Sequence, residues 1–151
     1  MISIRLYKES DWQNLVEVFS RNVPKYFAAH ELNDLKYYLG QHSKTYYIVE
    51  VDGVLVGAGG YHLFGNKGRL SWDFFDPAFH GKGLGRRLIT HCLMALQQEK
   101  KLTAIEVWTS QLAYGFYERF GFVTHEIKHD YWAKGLDLYR MIKPNRDISV
   151  V

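Results

Sequence analysis

Phe75-Asp76-Pro77-Ala78-Phe79-His80-Gly81-Lys82-Gly83-Leu84-Gly85-Arg86-Arg87-Leu88-Ile89 decides how this chain folds. A strand predicted to end at Pro77 runs into a glycine-rich turn, and the turn opens directly into an amphipathic helix. Gly81, Gly83 and Gly85 leave backbone N–H groups uncovered at the helix start, where the helix dipole is positive. Lys82, Arg86 and Arg87 add positive charge at the same place. These residues point to a site for a phosphate or pyrophosphate on a small molecule; plain turn chemistry is the alternative. Two familiar phosphate motifs do not fit. A dinucleotide fingerprint needs a third glycine where Arg86 stands, and a P-loop needs Ser or Thr where Gly83 follows Gly81-Lys82.

On the N-terminal side of this stretch, Ile2–Leu6 alternates weakly and reads as a strand. Ser10-Asp11-Trp12-Gln13 has capping-box spacing, and Trp12, Leu15, Val16 and Phe19 fall on one helical face. A second helix carries Leu32, Leu35 and Leu39, with Gly40 as its stop. Residues 46–51 and 54–61 are β-rich runs separated by Asp52-Gly53 alone, a strong signal for a tight hairpin. Gly65-Asn66-Lys67-Gly68 turns the chain into a strand over 69–75. On the C-terminal side, Leu84, Leu88, Cys92 and Leu96 form one stripe, widened by Ile89 and Leu93. A strand over 103–107 follows, then a short helix with Leu112, Ala113, Phe116, Tyr117 and Phe120 on one face and Gly121 at its end. Residues 122–127 and 136–142 supply two closing strands. The expected fold is α/β (α+β), a mixed central sheet of about seven strands flanked by about four helices.

The 151 residues suit one domain spanning 1–151, long enough to bury a core, and 47% hydrophobic residues argue against disorder. A net charge of +3 with scattered basic residues gives no reason to expect a nucleic-acid partner. Cys92 stands alone, so no internal disulfide can form, and a reducing cytoplasmic setting is expected. No apolar run has transmembrane length, so no membrane association is expected. His125-Glu126-Ile127-Lys128-His129 reads as H-E-x-x-H, but on a strand its two histidines stand too far apart to share one zinc ion. No metal is expected.

The element order and two motifs resemble the GCN5-related N-acetyltransferase (GNAT) family. The first motif, Gln/Arg-x-x-Gly-x-Gly/Ala, stands here as His80-Gly81-Lys82-Gly83-Leu84-Gly85. The second, Asn-x-x-Ala followed by a tyrosine and Gly-Phe, runs from Ser110 through Ala113 and Tyr117 to Gly121-Phe122. His80 and Ser110 depart from the family pattern; Ser110 keeps a hydrogen-bonding group with shorter reach.

The resemblance implies acetyl-CoA as co-substrate and an amine acceptor, small molecule or peptide. It places the pantetheine arm against main-chain groups near Phe74 and Phe75, where strands four and five part. The pyrophosphate would lie on amides from Gly81 to Arg86, including Lys82, Gly83, Leu84 and Gly85, with His80 and Ser110 nearby. Tyr117 is the implied general acid, because a phenol of pKa about 10 is protonated at neutral pH and can give its proton to a thiolate. The alternative for Tyr117 is a core aromatic. For the base, Asp73 shares a face with Phe75, and Glu106 lies on the fifth strand where several relatives carry an acid; a carboxylate in a salt bridge is the alternative for both. His62 and His30 are further candidates for the base. The acceptor region would draw on Tyr26, Phe27, His30, Glu31, Asp34, Tyr131 and Trp132. A homodimer fits the family, and a non-catalytic acyl-CoA-binding module of the same fold is the rival reading.

Overall fold

A computed structural model describes residues 1–145, which carry seven strands and four α-helices in the expected order. These are β1 (Ile2–Leu6), α1 (Trp12–Ser20), α2 (Glu31–His42), β2 (Tyr46–Val51), β3 (Val54–Phe64), β4 (Lys67–Phe75), α3 (Leu84–Gln97), β5 (Ala104–Thr109), α4 (Tyr114–Glu118), β6 (Val123–Ala133) and β7 (Leu136–Pro144). The strands join in the order β1-β2-β3-β4-β5-β7-β6. The β4–β5 pair is parallel, whereas β1–β2, β2–β3, β5–β7 and β6–β7 are antiparallel, so the sheet is mixed. A parallel neighbour cannot be reached by a tight turn, and α3 supplies the crossover. Among the described residues no helix is long and apolar enough to cross a membrane. The chain divides into two compact units, Met1–Tyr61 with Trp72–His91, and His62–Ser71 with the chain from Cys92 onward.

In the first unit, Leu15, Val18 and Phe19 of α1 and Leu35 and Leu39 of α2 are buried with Tyr46, Ile48, Leu55, Ala58 and Phe74 of the strands. Each fully buried Leu, Ile, Val or Phe side chain among them contributes about 1.5–3 kcal/mol on leaving water. The β2–β3 hairpin turns at Asp52 (φ 49°) and Gly53 (φ 80°), both in the left-handed region that a two-residue turn of matching twist requires. Two local expectations give way. Gly40 does not stop α2, which runs on to His42, because the backbone there remains helical and a glycine within a helix is tolerated. Ser10 does not cap α1; instead Asp11 accepts from the Lys8 amide (2.9 Å) and takes a two-pronged bond from Arg5 (2.8 Å each). That guanidinium holds the Asp11 carboxyl below the ordinary carboxylate range.

In the second unit, the β4–β5 ladder runs from Lys67↔Ala104 to Leu70↔Val107. Gly68 lets this pair approach α3, since a Cβ there would lie 2.7 Å from Leu96. β5 also pairs along its whole length with β7. α4 is shorter than its sequence face suggested: Tyr117 and Phe122 are buried, but Leu112 precedes the helix and is 46% exposed. β6 continues to Ala133, so His125 and His129 lie on a strand.

Candidate active site

The candidate residues divide between the two units. In the first, β4 loses its regularity at Trp72, whose φ of 56° is left-handed for a bulky residue, a conformation held only where surroundings enforce it. The enforcement is visible. Tyr46 Oη donates to the Trp72 carbonyl (2.7 Å), and the indole stacks on Phe27 with centroids 6.0 Å apart. Beyond this kink, Phe74 packs against Phe19 and Phe27, while Asp73 and Phe75 share the opposite face. A Cβ on Gly59 would lie 2.6 Å from Asp73 Cβ and 2.8 Å from Leu88, so glycine is what lets Asp73 and α3 close over β3. Burial pushes the Asp73 carboxyl up to about 6. At that value it is a carboxylate at neutral pH yet close enough in pKa to exchange a proton readily.

After β4 the chain makes a one-turn 3-10 helix, Pro77–Phe79. Asp76 caps it, accepting from the Ala78 amide (3.0 Å), and pairs with Arg21 (2.6 Å). Gly81 (φ 75°) and Gly83 (φ 80°) then take left-handed conformations, and a Cβ at either would meet nothing. Glycine is required here by the backbone and not by space. Residues 81–83 are exposed, and α3 starts at Leu84, with Arg87 making an early helical bond to the Gly83 carbonyl. The first N–H groups of α3 have no acceptor within the helix, so they can bind an anion's oxygens. Lys82 Nζ rests 5.2 Å from the centroid of the Phe79 ring, and Arg86 and Arg87 are exposed. His80, at the surface, folds back on the end of β4: its Nε2 lies 3.2 Å from the Phe75 carbonyl and its ring meets Tyr26 edge-on.

Of the expected acceptor residues in this unit, Phe27 belongs to the core. Glu31, the first residue of α2, is buried and accepts from the Ala28 amide of the preceding turn (2.8 Å), with burial pushing its carboxyl up. Tyr26 is partly exposed, and His30 and Asp34 are exposed.

In the second unit, Glu106 is only 4% exposed and fully engaged. Its Oε1 accepts from Trp108 Nε1 (2.7 Å) and Arg69 Nη2 (3.3 Å), while Oε2 faces Lys67 Nζ and Arg140 Nη1, each at 3.7 Å. The Arg69 guanidinium lies 4.4 Å from the Trp108 ring centroid and 4.8 Å from that of Phe64. Nothing in the sequence pairs these residues, because they come from four strands, β3, β4, β5 and β7. Ser110 Oγ accepts from the Leu112 amide (3.2 Å), and its carbonyl accepts from Ala113 and Tyr114, forming the turn that starts α4. Tyr117 is 4% exposed, with Phe116 and Phe122 edge-on to its ring. Trp132 donates to the Thr109 carbonyl (3.1 Å), and Tyr131 is exposed beside Trp108. His62 Nδ1 lies 3.3 Å from Ser71 Oγ. The β4–β5 ladder stops at Leu70↔Val107, although β4 continues to Phe75 and β5 to Thr109.

Several solved N-acetyltransferases share this architecture. It matches the ribosomal-protein-S18-alanine N-acetyltransferase of Escherichia coli with a TM-score of 0.80 at 17% identity, covering 97% of this chain and 96% of that one. It matches Ard1 of Thermoplasma volcanium with a TM-score of 0.79 at 19% identity, over 97% and 99% of the two chains. The ribosomal-protein-alanine N-acetyltransferase of Brucella melitensis gives 0.75 at 18%, over 94% and 99%. No curated protein sequence matches the chain. The chain belongs to the GNAT acetyltransferase family: the model of the acetyltransferase (GNAT) domain matches residues 10–144.

Proposed function

We propose that this protein is an acetyl-CoA-dependent N-acetyltransferase that moves an acetyl group to a primary amine of a small molecule, peptide or protein by direct attack on the thioester. The observation that carries the reading is the exposed left-handed turn at Gly81 and Gly83 feeding the first amides of α3. Its free N–H groups, with Lys82, Arg86 and Arg87 around them, suit a pyrophosphate, and backbone near Phe74 and Phe75 suits the pantetheine amides.

The chemistry needs two proton movements. The amine nitrogen attacks the thioester carbonyl carbon, the C–S bond breaks, and the nitrogen sheds a proton while the sulfur gains one. In this reading Tyr117 Oη gives the proton to the thiolate, and Asp73 takes the amine proton directly or through water. Glu106 is the weaker base, because both its oxygens are already engaged and three cations beside it would repel an ammonium group.

Thermal unfolding with and without acetyl-CoA tests the donor. At a hundred times the dissociation constant binding adds about 2.7 kcal/mol, so the midpoint is expected to rise by several degrees with acetyl-CoA and not with ATP. Thiol release on adding amines then separates an enzyme from a binding module: a shift without turnover on any amine favours the module. The absence of any shift would remove the donor assignment.

Asp73→Asn should do two things. With Asp73 titrating at about 6, kcat/KM for the acceptor falls below that pH in the wild type. The variant loses this acid limb, and its plateau drops about 10²- to 10⁴-fold. Stability moves the other way. The folded carboxyl titrates above the value of about 4 in an unfolded chain, so the wild type loses stability as pH rises from about 4 through 6. Asparagine has no charge to bury, so the variant should melt higher than wild type at pH 8 and not at pH 4. A variant that keeps the acid limb would remove Asp73 from the mechanism.

A further inference from the structure

The Phe75 carbonyl, at the end of β4, receives two side-chain donors from different parts of the first unit. Asn22, just past α1 and only 2% exposed, donates one amide hydrogen to it (3.0 Å) and the other to the Val18 carbonyl (2.9 Å). His80 supplies the second donor from Nε2 (3.2 Å), which must carry its hydrogen because a carbonyl only accepts. Both lone pairs of this oxygen are therefore taken.

Asn22 is also the hub of the segment between α1 and α2. Its own carbonyl accepts from the amides of Tyr26 (2.8 Å) and Phe27 (3.1 Å). Tyr26 in turn meets the His80 ring edge-on at 5.3 Å, and Arg21 pairs with Asp76. Three contacts, Asn22 to Phe75, Tyr26 to His80 and Arg21 to Asp76, thus fasten the segment after α1 to the end of β4 and the turn that precedes α3.

We propose that Asn22 and His80 are positioning residues, a paired-donor lock on the Phe75 carbonyl that holds the glycine turn in its anion-binding shape and ties that turn to the segment after α1. The inference rests on the acetyltransferase reading for what the turn binds. It assigns His80 a role through the backbone and not through contact with the cofactor, and it removes the Phe75 carbonyl from the groups open to pantetheine. It also makes the turn and the segment loosen together.

Hydrogen exchange on the free protein, read by mass spectrometry, tests the lock without any ligand. His80 is at the surface, so His80→Ala is expected to fold. That variant should exchange faster both across residues 76–87 and across residues 22–30, and His80→Gln, which restores a donor, should return both segments toward wild type. Acetyl-CoA should bind His80→Ala about fivefold more weakly, the worth of one neutral hydrogen bond, and His80→Gln nearly as well as wild type. Wild-type exchange in His80→Ala, or faster exchange in residues 76–87 alone, would overturn the lock. Equal loss of binding in both variants with unchanged exchange would also overturn it, in favour of direct contact. If the wild type binds no acetyl-CoA, the acetyltransferase reading falls, and the exchange pattern still decides the lock.

Discussion

Tyr117→Phe is expected to lower turnover about 10²-fold or more while leaving acetyl-CoA affinity within about twofold. Phenylalanine keeps the ring that Phe116 and Phe122 hold edge-on, so what leaves is the hydroxyl alone. Loss of a hydroxyl from a buried site costs about 1 kcal/mol of stability, too little to unfold a domain. Steady-state kinetics beside a binding isotherm separate the two effects. If turnover survives, Tyr117 is a core aromatic and another group protonates the leaving thiolate. If affinity collapses with turnover, the side chain supports the donor and not the proton transfer.

Glu106→Gln is expected to cost about 3 kcal/mol of stability, the low end for breaking a buried ion pair. The carboxylate is 5% exposed and its cationic partners Lys67, Arg69 and Arg140 are 27–41% exposed, so water recovers part of the loss on their side. A neutral amide removes the carboxylate that these cations share, and Arg140 alone keeps a second one, Glu126 at 3.2 Å. The denaturant midpoint should fall with the slope unchanged. A variant with wild-type stability and no turnover would instead return Glu106 to the position of base. The location sharpens the test, because Arg69↔Glu106 is the rung beside Leu70↔Val107, where the β4–β5 ladder ends.

Local chemistry made much of the fold legible. Asp52-Gly53 specifies its turn from two residues, and the stripe from Leu84 to Leu96 specifies the buried face of α3, where Leu84, Leu88, Ile89, Cys92, Leu93 and Leu96 are all buried. Expectations failed where a distant partner outbid a local one. Arg5 captures Asp11 and the Ser10 cap is lost; Gly40 is carried through by a helix whose Leu35 and Leu39 are already anchored. The site was legible at the glycine turn, whose dihedral needs are intrinsic to its residues. The kink at Trp72 was not, since nothing in a tryptophan announces a left-handed backbone. Nor was Asn22, whose second partner lies 53 positions along the chain. Glu106 drew notice as an acid on a strand, but its engagement by Lys67, Arg69, Trp108 and Arg140 is a property of the assembled sheet.

The outermost strand has a consequence for how the protein behaves in a crowded solution. β6 lies at the sheet's rim and is 11 residues long, with Ile127 and Tyr131 exposed, the kind of border on which stray chains can stack into fibres. Its pairing with β7 slips between Thr124 and Glu126 and again between Lys128 and Ala133, and Asp130 turns left-handed with its amide given to Asp137. Charged Glu126, Lys128 and Asp130 interrupt the apolar positions. A straight, dry ladder grows poorly from so irregular and charged a border, so the register slips work against polymerisation along β6.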